Sequence, residues 1–200
     1  MNTQTKQIKN SAIFTITAAV VMLQISACAT LSKEECLAGN WQAIGYSDGV
    51  DGHYPNHIDE HRKACAKVGV IPDRQAWERG RKQGLLHYCT KTNAYQIGLN
   101  GLRLSGVCPA DKIDVLQRIN ANGLEISEKR RQLSADKDKI ADYREKLRKL
   151  RSGDMLDSKT EQEAREYLLE LSDKIHTLEE RVRNTQRVID EKERHYRMML

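Results

Sequence analysis

The second half of the chain repeats an apolar residue every seven positions, which restricts it to long helices that pack side by side. The first series consists of Ile119, Ile126, Leu133, Ile140 and Leu147. A later series alternates steps of four and three residues across positions 164–189. Both spacings place apolar side chains on one stripe of an α-helix, which is the pattern of a coiled coil.

A turn signal separates the two series, because Ser152-Gly153-Asp154 combines glycine with two polar residues that favour turns. If the chain reverses at residue 154, Ile140 faces Leu168 and Ile126 faces Val182. We therefore predict an antiparallel helical hairpin over residues 111–200, with arms roughly 60 Å long. Polar residues interrupt the stripe of the first arm, so we expect a further helix or a partner to cover part of it.

The four cysteines that follow residue 30 all precede residue 110, at Cys36, Cys65, Cys89 and Cys108. An even number in an oxidising compartment predicts two disulfides. Mirror placement about turns near residues 50 and 98 favours the pairs Cys36–Cys65 and Cys89–Cys108 among the three possible pairings. The absence of a C-x-x-C motif argues against a thioredoxin-like centre or a paired zinc knuckle.

Capping residues and glycines predict short helices in the region that precedes residue 110. Ser32 with Glu35 is typical of a capping box and predicts a helix over 33–49. A second helix is expected over 57–68, and Asp73 is expected to cap a third that runs to Tyr88. An aromatic residue followed by two glycines recurs, which predicts close helix packing; the groups are Trp41/Gly45/Gly49, Trp77/Gly80/Gly84 and Tyr95/Gly98/Gly101.

The N-terminus has the three zones of a secretion signal. Lys6 and Lys9 precede an apolar run over 12–23, and small residues follow. That run is shorter than the roughly 20 residues of a membrane-spanning helix. The segment Ile25-Ser26-Ala27-Cys28 resembles the bacterial lipobox, which implies acylation of the Cys28 thiol and cleavage before it. In a Gram-negative host, an alanine rather than an aspartate at position 29 implies the outer membrane.

The chain is therefore expected to be all-α and to divide into three parts. Residues 1–27 are a signal peptide, 28–110 a lipid-anchored module rich in glycine and cysteine, and 111–200 the hairpin. The hairpin region carries 21 basic and 20 acidic residues, a balance that is typical of a solvated helix surface. Nucleic acid is not an expected partner.

Several short motifs resemble the family of bacterial lipoproteins called domain of unknown function 2799. The resemblance is expected to cover nearly the whole chain after Cys28, including the charged helical tail, and it implies no activity. It adds weight to the two-disulfide module. The motifs are Cys36-Leu37-Ala38-Gly39-Asn40-Trp41, Gly45-Tyr46-Ser47-Asp48-Gly49, His61-Arg62-Lys63-Ala64-Cys65, Gly80-Arg81-Lys82-Gln83-Gly84-Leu85, Tyr88-Cys89 and Gly106-Val107-Cys108-Pro109.

A run of ligand-type residues at a spacing of four is the most specific chemical pattern, with His53, His57, His61 and Cys65. Pro55 prevents one helix from carrying both His53 and His57. With Cys65 in a disulfide, only His57 and His61 remain as weak metal-ligand candidates. The alternative is that His61 forms hydrogen bonds beside the disulfide, and no metal or other cofactor is expected.

Catalytic motifs are missing from the sequence: there is no G-x-S-x-G, no H-E-x-x-H and no cysteine left to act as a nucleophile. Asp48 and Asp51 could form a carboxylate pair, but aspartate beside glycine is more often a turn residue. A pocket lined by Asp48, His61 and Arg81 would indicate chemistry, whereas a packed surface would not.

These observations favour a non-catalytic envelope lipoprotein with a structural or protein-interaction role. The expected attachment is to the outer membrane through Cys28, facing the periplasm, with an envelope protein or the cell wall as partner. The alternative is a periplasmic module that binds a metal or a cell-wall ligand, or an enzyme that acts on the cell wall, with the hairpin as a spacer.

Overall fold

A computed structural model describes residues 30–199, which fold into α-helices and one short 3-10 helix and contain no strand. The predicted signal peptide and Cys28 lie outside the described residues. The predicted all-α class, a disulfide-stapled helical module followed by a long helical hairpin, is confirmed. The elements are α1 Lys33–Ala38, α2 Trp41–Val50, the 3-10 helix Pro55–His57, α3 Ile58–Ala66, α4 Arg74–Tyr88, α5 Lys91–Leu99, α6 Ala110–Arg151 and α7 Glu161–Met199.

The predicted helix over 33–49 is two helices. The capping box of Ser32 and Glu35 does begin α1. Gly39 then adopts a left-handed conformation with φ of +60°, which ends the helix after one and a half turns. Asn40 caps the next helix, because its side chain accepts a hydrogen bond from the backbone N–H of Ala43. The other predicted cap, Asp73, begins α4 as expected.

The central contact of the module is between α2 and α4, whose backbones touch at four glycines. A Cβ on Gly45 would lie 1.9 Å from the carbonyl oxygen of Trp77, and one on Gly80 would lie 1.9 Å from that of Gln42. Gly49 and Gly84 make the same approach one turn later. The predicted close packing is therefore confirmed for the first two aromatic-glycine groups, and no larger residue fits the crossing.

Both predicted disulfides are present. Cys36 and Cys65 have Cα atoms 5.5 Å apart and join α1 to α3. Cys89 and Cys108 have Cα atoms 5.6 Å apart and join the end of α4 to the segment before α6. The helix pairing used to predict the first bond was wrong, because α2 packs against α4 rather than against α3. The break at Gly39 separates α1 from α2, so α1 can join α3 through the disulfide while α2 packs against α4.

The third aromatic-glycine group packs against the hairpin. Gly98 in α5 meets the α6 backbone beside Gly123, where an added Cβ would lie 2.3 Å from the carbonyl oxygen of Asn120. Gly101 has φ of +77° and lies in the turn after α5, so it does not share a helix face with Gly98. The α5 helix is thus the further element that covers the base of the first arm.

A buried asparagine anchors the segment after α5 to the hairpin. Asn120 accepts a hydrogen bond from the backbone N–H of Leu104 and donates to the carbonyls of Ala94 and Leu102. Its side-chain amide therefore ties the backbone of α5 and of the segment 102–104 to α6.

The hairpin forms, but its pairing is one heptad away from the predicted register. Ile140 is buried with Ile175 rather than with Leu168, and Ile126 is buried with Ile189 rather than with Val182. The reversal does not occur at Asp154 alone. Helix α6 ends at Arg151 and α7 begins at Glu161, so the whole segment 152–160 connects them. A shift by seven residues keeps every apolar stripe facing inward, so the heptads alone permit either pairing.

Substitution of alanine for Gly45 tests the helix crossing. We expect Gly45→Ala to lower the free energy of unfolding by about 3 kcal/mol, because its methyl group collides with a backbone carbonyl. Urea unfolding followed by circular dichroism measures the change. As a control, Gly153→Ala places a methyl group in open space at φ of +90° and should cost only about 1 kcal/mol. Equal losses for the two variants would contradict the proposed role of the crossing.

Candidate functional site

A buried carboxylate lies at the centre of the first module. Asp48 lies in the last turn of α2, and its side chain is buried, at 7% exposed. Its Oδ2 atom accepts a hydrogen bond of 2.6 Å from the indole Nε1–H of Trp77. The contact forms because the glycines at the crossing bring α2 and α4 close enough for a short aspartate to reach the indole ring.

The same oxygen accepts a second hydrogen bond from His61 in α3, whose Nε2 lies 2.7 Å away. An ionised carboxylate only accepts, so the hydrogen resides on Nε2 of His61. The other ring nitrogen, Nδ1, lies 3.0 Å from the hydroxyl of Thr30, which can donate to it. Both nitrogens of His61 are therefore used within the protein, and the Cys36–Cys65 disulfide one turn later fixes the helix that carries it.

Two opposing effects act on the pKa of Asp48. Burial raises the pKa of the carboxyl group, while the hydrogen bonds from His61 and Trp77 lower it. The hydrogen bonds outweigh the burial, and the pKa of Asp48 lies below its ordinary value. The group is therefore a carboxylate at neutral pH. It belongs to α2 and accepts hydrogen bonds from α3 and α4, so it links the three helices.

A second buried charge holds the turn that follows α2. Arg81 of α4 is 6% exposed, and its Nη1 donates a 2.9 Å hydrogen bond to the carbonyl oxygen of His53. The rest of its guanidinium group binds both carboxylate oxygens of Glu78, at 3.0 and 3.3 Å. This fork of donors fixes the backbone of His53 relative to α4.

Two further histidines lie at the edge of this network. The rings of His53 and His57 are stacked in parallel, with centroids 3.8 Å apart. Nε2 of His57 lies 3.7 Å from Oδ1 of Asp48, the carboxylate oxygen that faces away from Trp77 and His61. Burial and the neighbouring His53 hold the pKa of His57 below its ordinary value, so its ring is neutral at neutral pH.

The residues expected to line a pocket are instead enclosed by contacts within the protein. The side chains of Asp48, His61 and Arg81 are all buried, and partners within the protein engage Oδ2 of Asp48, both ring nitrogens of His61 and the guanidinium group of Arg81. Asp51 is exposed at the end of α2 and is not a partner of Asp48. The rings of His57 and His61 are in edge contact, with centroids 4.8 Å apart. His61 uses both ring nitrogens in hydrogen bonds, whereas Nε2 of His57 lies near Asp48 without bonding to it. The geometry gives His61 the structural role of a hydrogen-bonding residue near the disulfide.

The sequence did not reveal two partners of this network, Trp77 and Thr30. Trp77 stood out only as part of the repeated aromatic-glycine pattern. A buried tryptophan needs an acceptor for its N–H, and Asp48 was the candidate acceptor nearest the matching glycines of α2. Thr30 carried no signal, because its contact with His61 depends on where the disulfide places α3.

Comparison with known families gives one match. Residues 40–124 match the family model described as "Protein of unknown function (DUF2799)". The resemblance to this family is confirmed over those residues, but the match does not extend over the rest of the charged helical tail, which the resemblance was expected to include. The DUF2799 match begins at the cap of α2 and ends just after Gly123, so it includes the α2/α4 crossing, the α5/α6 contact and the Asp48 network apart from Thr30. The matched segment thus continues into the first arm of the hairpin.

The comparisons with curated proteins and with solved structures found no similar protein. Within residues 30–199, none of the helices combines the length and apolar character needed to cross a membrane. The DUF2799 description assigns no activity.

Removal of the central carboxylate tests the network. We expect Asp48→Ala to lower the free energy of unfolding by roughly 2–4 kcal/mol, because the buried donors of Trp77 and His61 both lose their acceptor. Asp51→Ala removes a carboxylate from the same turn but from an exposed position, and should change stability by less than about 0.5 kcal/mol. Chemical denaturation of both variants measures the difference. A mild effect of Asp48→Ala would show that the network contributes little to the fold.

Proposed function

We propose that this protein is a non-catalytic lipoprotein of the cell envelope, anchored through Cys28 in the outer membrane and facing the periplasm. In this proposal the disulfide-stapled module is the base, and the helical hairpin is an arm that contacts an envelope protein or the cell wall. The observation that carries the proposal is the shape of the hairpin, which buries one narrow apolar seam and leaves two long charged faces to solvent.

The disulfides support an envelope location. Disulfides persist in oxidising compartments such as the periplasm and are rare in the reducing cytosol. Cys36 and Cys65 are each no more than 1% exposed, and they belong to the same apolar cluster as Trp41, Ile58 and Trp77. The first disulfide is therefore part of the core of the module.

The position of Thr30 supports a base held directly at the membrane. Its hydroxyl contacts His61, and the next residue, Leu31, is part of the buried core. Only Ala29 lies between Thr30 and Cys28, so the two Cα atoms can be at most about 7 Å apart. An acyl group on Cys28 would therefore anchor the folded module itself rather than a long flexible tether.

The outer part of the hairpin supports an arm with reach. Helix α5 covers only the base of α6, near Ala94, Tyr95 and Gly98. From Ile126 to Arg151 the arm extends roughly 38 Å, at 1.5 Å per residue. Along this stretch α6 packs against α7, with exposed charges on both flanks.

Ion pairs between the two arms support a defined, rigid surface. Asp136, 3% exposed, accepts two hydrogen bonds from the guanidinium group of Arg181, at 2.6 and 2.5 Å. Closer to the tip, Arg144 pairs with Glu179 at 2.7 Å. Hydrogen bonds from Arg181 lower the pKa of Asp136, which therefore stays ionised. These pairs fix the register of the arms and thus the pattern of charge that a partner meets.

The surface around Ile140 has the composition of a protein contact. One shallow groove beside it is lined by both apolar and charged residues, namely Lys137, Ile140, Ala141, Arg144, Glu179, Val182 and Arg183. On the other side, the ammonium groups of Lys146 and Lys174 each lie 5.9 Å from the ring of Tyr143. Arginine and tyrosine beside an apolar stripe are enriched at protein interfaces.

Substitution of the predicted lipid-bearing cysteine tests the anchor. We expect Cys28→Ser to abolish incorporation of labelled fatty acid and to leave the precursor uncleaved, because the serine hydroxyl does not accept the diacylglyceryl group. Metabolic labelling and the migration of the protein measure both effects. Unchanged labelling of Cys28→Ser would overturn the lipoprotein proposal.

A shortened hairpin tests the arm. Deletion of 134–181, with Leu133 joined to Val182 by a short glycine-rich loop, keeps the base of the hairpin because Ile126, Ile189 and Tyr196 stay in place. We expect membrane attachment and both disulfides to survive, while crosslinks to the partner in intact envelopes disappear.

The control for this deletion keeps the full arm and replaces only the connecting residues 154–158 with glycine and serine. It should retain the crosslinks and the phenotype of the unaltered chain. If the shortened chain retains every crosslink and full function, the hairpin is not the contact surface and the arm proposal is wrong.

A further inference from the structure

Three metal-ligating side chains converge on the turn between α2 and α3. Asp48 comes from the end of α2, His53 from the turn itself and His57 from the 3-10 helix that precedes α3. One potential ligand atom from each lies within 4.8 Å of the other two. All three lie within ten consecutive residues, and the turn after α2, in which the backbone N–H of His53 donates to the carbonyl oxygen of Asp48 at 2.9 Å, brings them together.

Asp48 has one oxygen left for a ligand. Its Oδ2 accepts hydrogen bonds from Trp77 and His61, whereas Oδ1 points to the histidine pair, 3.7 Å from Nε2 of His57. That separation is beyond hydrogen-bond distance, yet it is close to the spacing of two ligands around one small cation. The buried carboxylate thus presents a fixed, ionised oxygen to two imidazole rings.

The stacked rings of His53 and His57 supply the other ligands. Their centroids are 3.8 Å apart, so both imidazoles lie beside the same carboxylate. Both histidines are half-buried, so the cluster can be reached from solvent.

We propose that Asp48, His53 and His57 bind a divalent transition-metal cation of the zinc class, with water completing the coordination. Two imidazoles and one carboxylate form a donor set that suits Zn²⁺ and its neighbours in the first transition series. The set differs from the pair that the sequence suggested: His53 and Asp48 take the place of His61, whose two nitrogens are already used.

The surrounding hydrogen bonds match those that orient ligands in metal sites. Trp77 and His61 hold the carboxylate of Asp48, and Arg81 holds the backbone carbonyl of His53. Such outer contacts fix ligand orientation and raise metal affinity. A bound cation would clamp the end of α2 to the start of α3, close to the predicted membrane anchor. This inference does not depend on the proposed interaction role of the hairpin.

Titration of the full-length chain with Zn²⁺ tests the site. The protein is purified in detergent without a histidine tag, and binding is measured by isothermal titration calorimetry and by the shift in thermal unfolding temperature. We expect one saturable site, and a rise in unfolding temperature when Zn²⁺ is added. His53→Gln and His57→Gln should each weaken the affinity by roughly tenfold or more.

The matched control is His176→Gln, which removes an exposed histidine that pairs with Glu180 on α7. It should bind Zn²⁺ like the unaltered chain. Absence of saturable binding would overturn the proposal, and so would equal weakening by His176→Gln and by the two site variants.

A measurement on the unaltered chain covers the case in which a site variant fails to fold. Imidazole signals in ¹H–¹⁵N spectra are followed during the Zn²⁺ titration. Signals of His53 and His57 should shift together at one equivalent, while those of His87, His176 and His195 stay in place. Shifts confined to the latter three would place the cation elsewhere and overturn the proposal.

Discussion

The backbone contact between α2 and α4 is the constraint on which the first module depends. Four glycines allow the two helices to touch, and an added Cβ on Gly45 or Gly80 would meet a carbonyl oxygen at 1.9 Å. Close approach increases dispersion contacts along both helices and brings the short side chain of Asp48 within 2.6 Å of the indole nitrogen of Trp77. The buried network, and with it the proposed cation site, exists only because the crossing is this tight.

The rest of the module surrounds this crossing with covalent and polar constraints. The Cys36–Cys65 bond holds α3 so that His61 reaches Asp48, and the Cys89–Cys108 bond holds the chain as it enters α6. A small domain with few aromatic residues has little apolar area to bury, so staples of this kind contribute a large share of its stability. The result is a rigid base from which a long hairpin can extend.

The base and the hairpin share one continuous packing unit. Gly98 and Gly123 repeat the close helix contact between α5 and α6, and the ring of Tyr95 stacks on that of Tyr196 near the end of α7. The DUF2799 match ends at residue 124, at this same contact. Helix α5 therefore packs against both arms of the hairpin, as the proposed role of a rigid arm requires.

Local signals in the sequence determined much of this protein. The caps at Ser32 and Asp73, the heptads and the two disulfide pairs all follow from residues whose effect is short-range or whose pairing is limited to few choices. These signals gave the all-α class and the hairpin.

Tertiary structure alone decided the break at Gly39, the pairing of α2 with α4 and the register of the hairpin. Heptads tolerate a shift of seven residues without exposing an apolar stripe. The register of the two arms is therefore set by other features, such as the 152–160 connection and the Asp136–Arg181 pair. The Asp48 network was equally hidden, because His61, Trp77 and Thr30 are far apart in the chain and meet only after three helices pack. Sequence periodicity specifies which face of a helix is buried, whereas long-range packing specifies what that face meets.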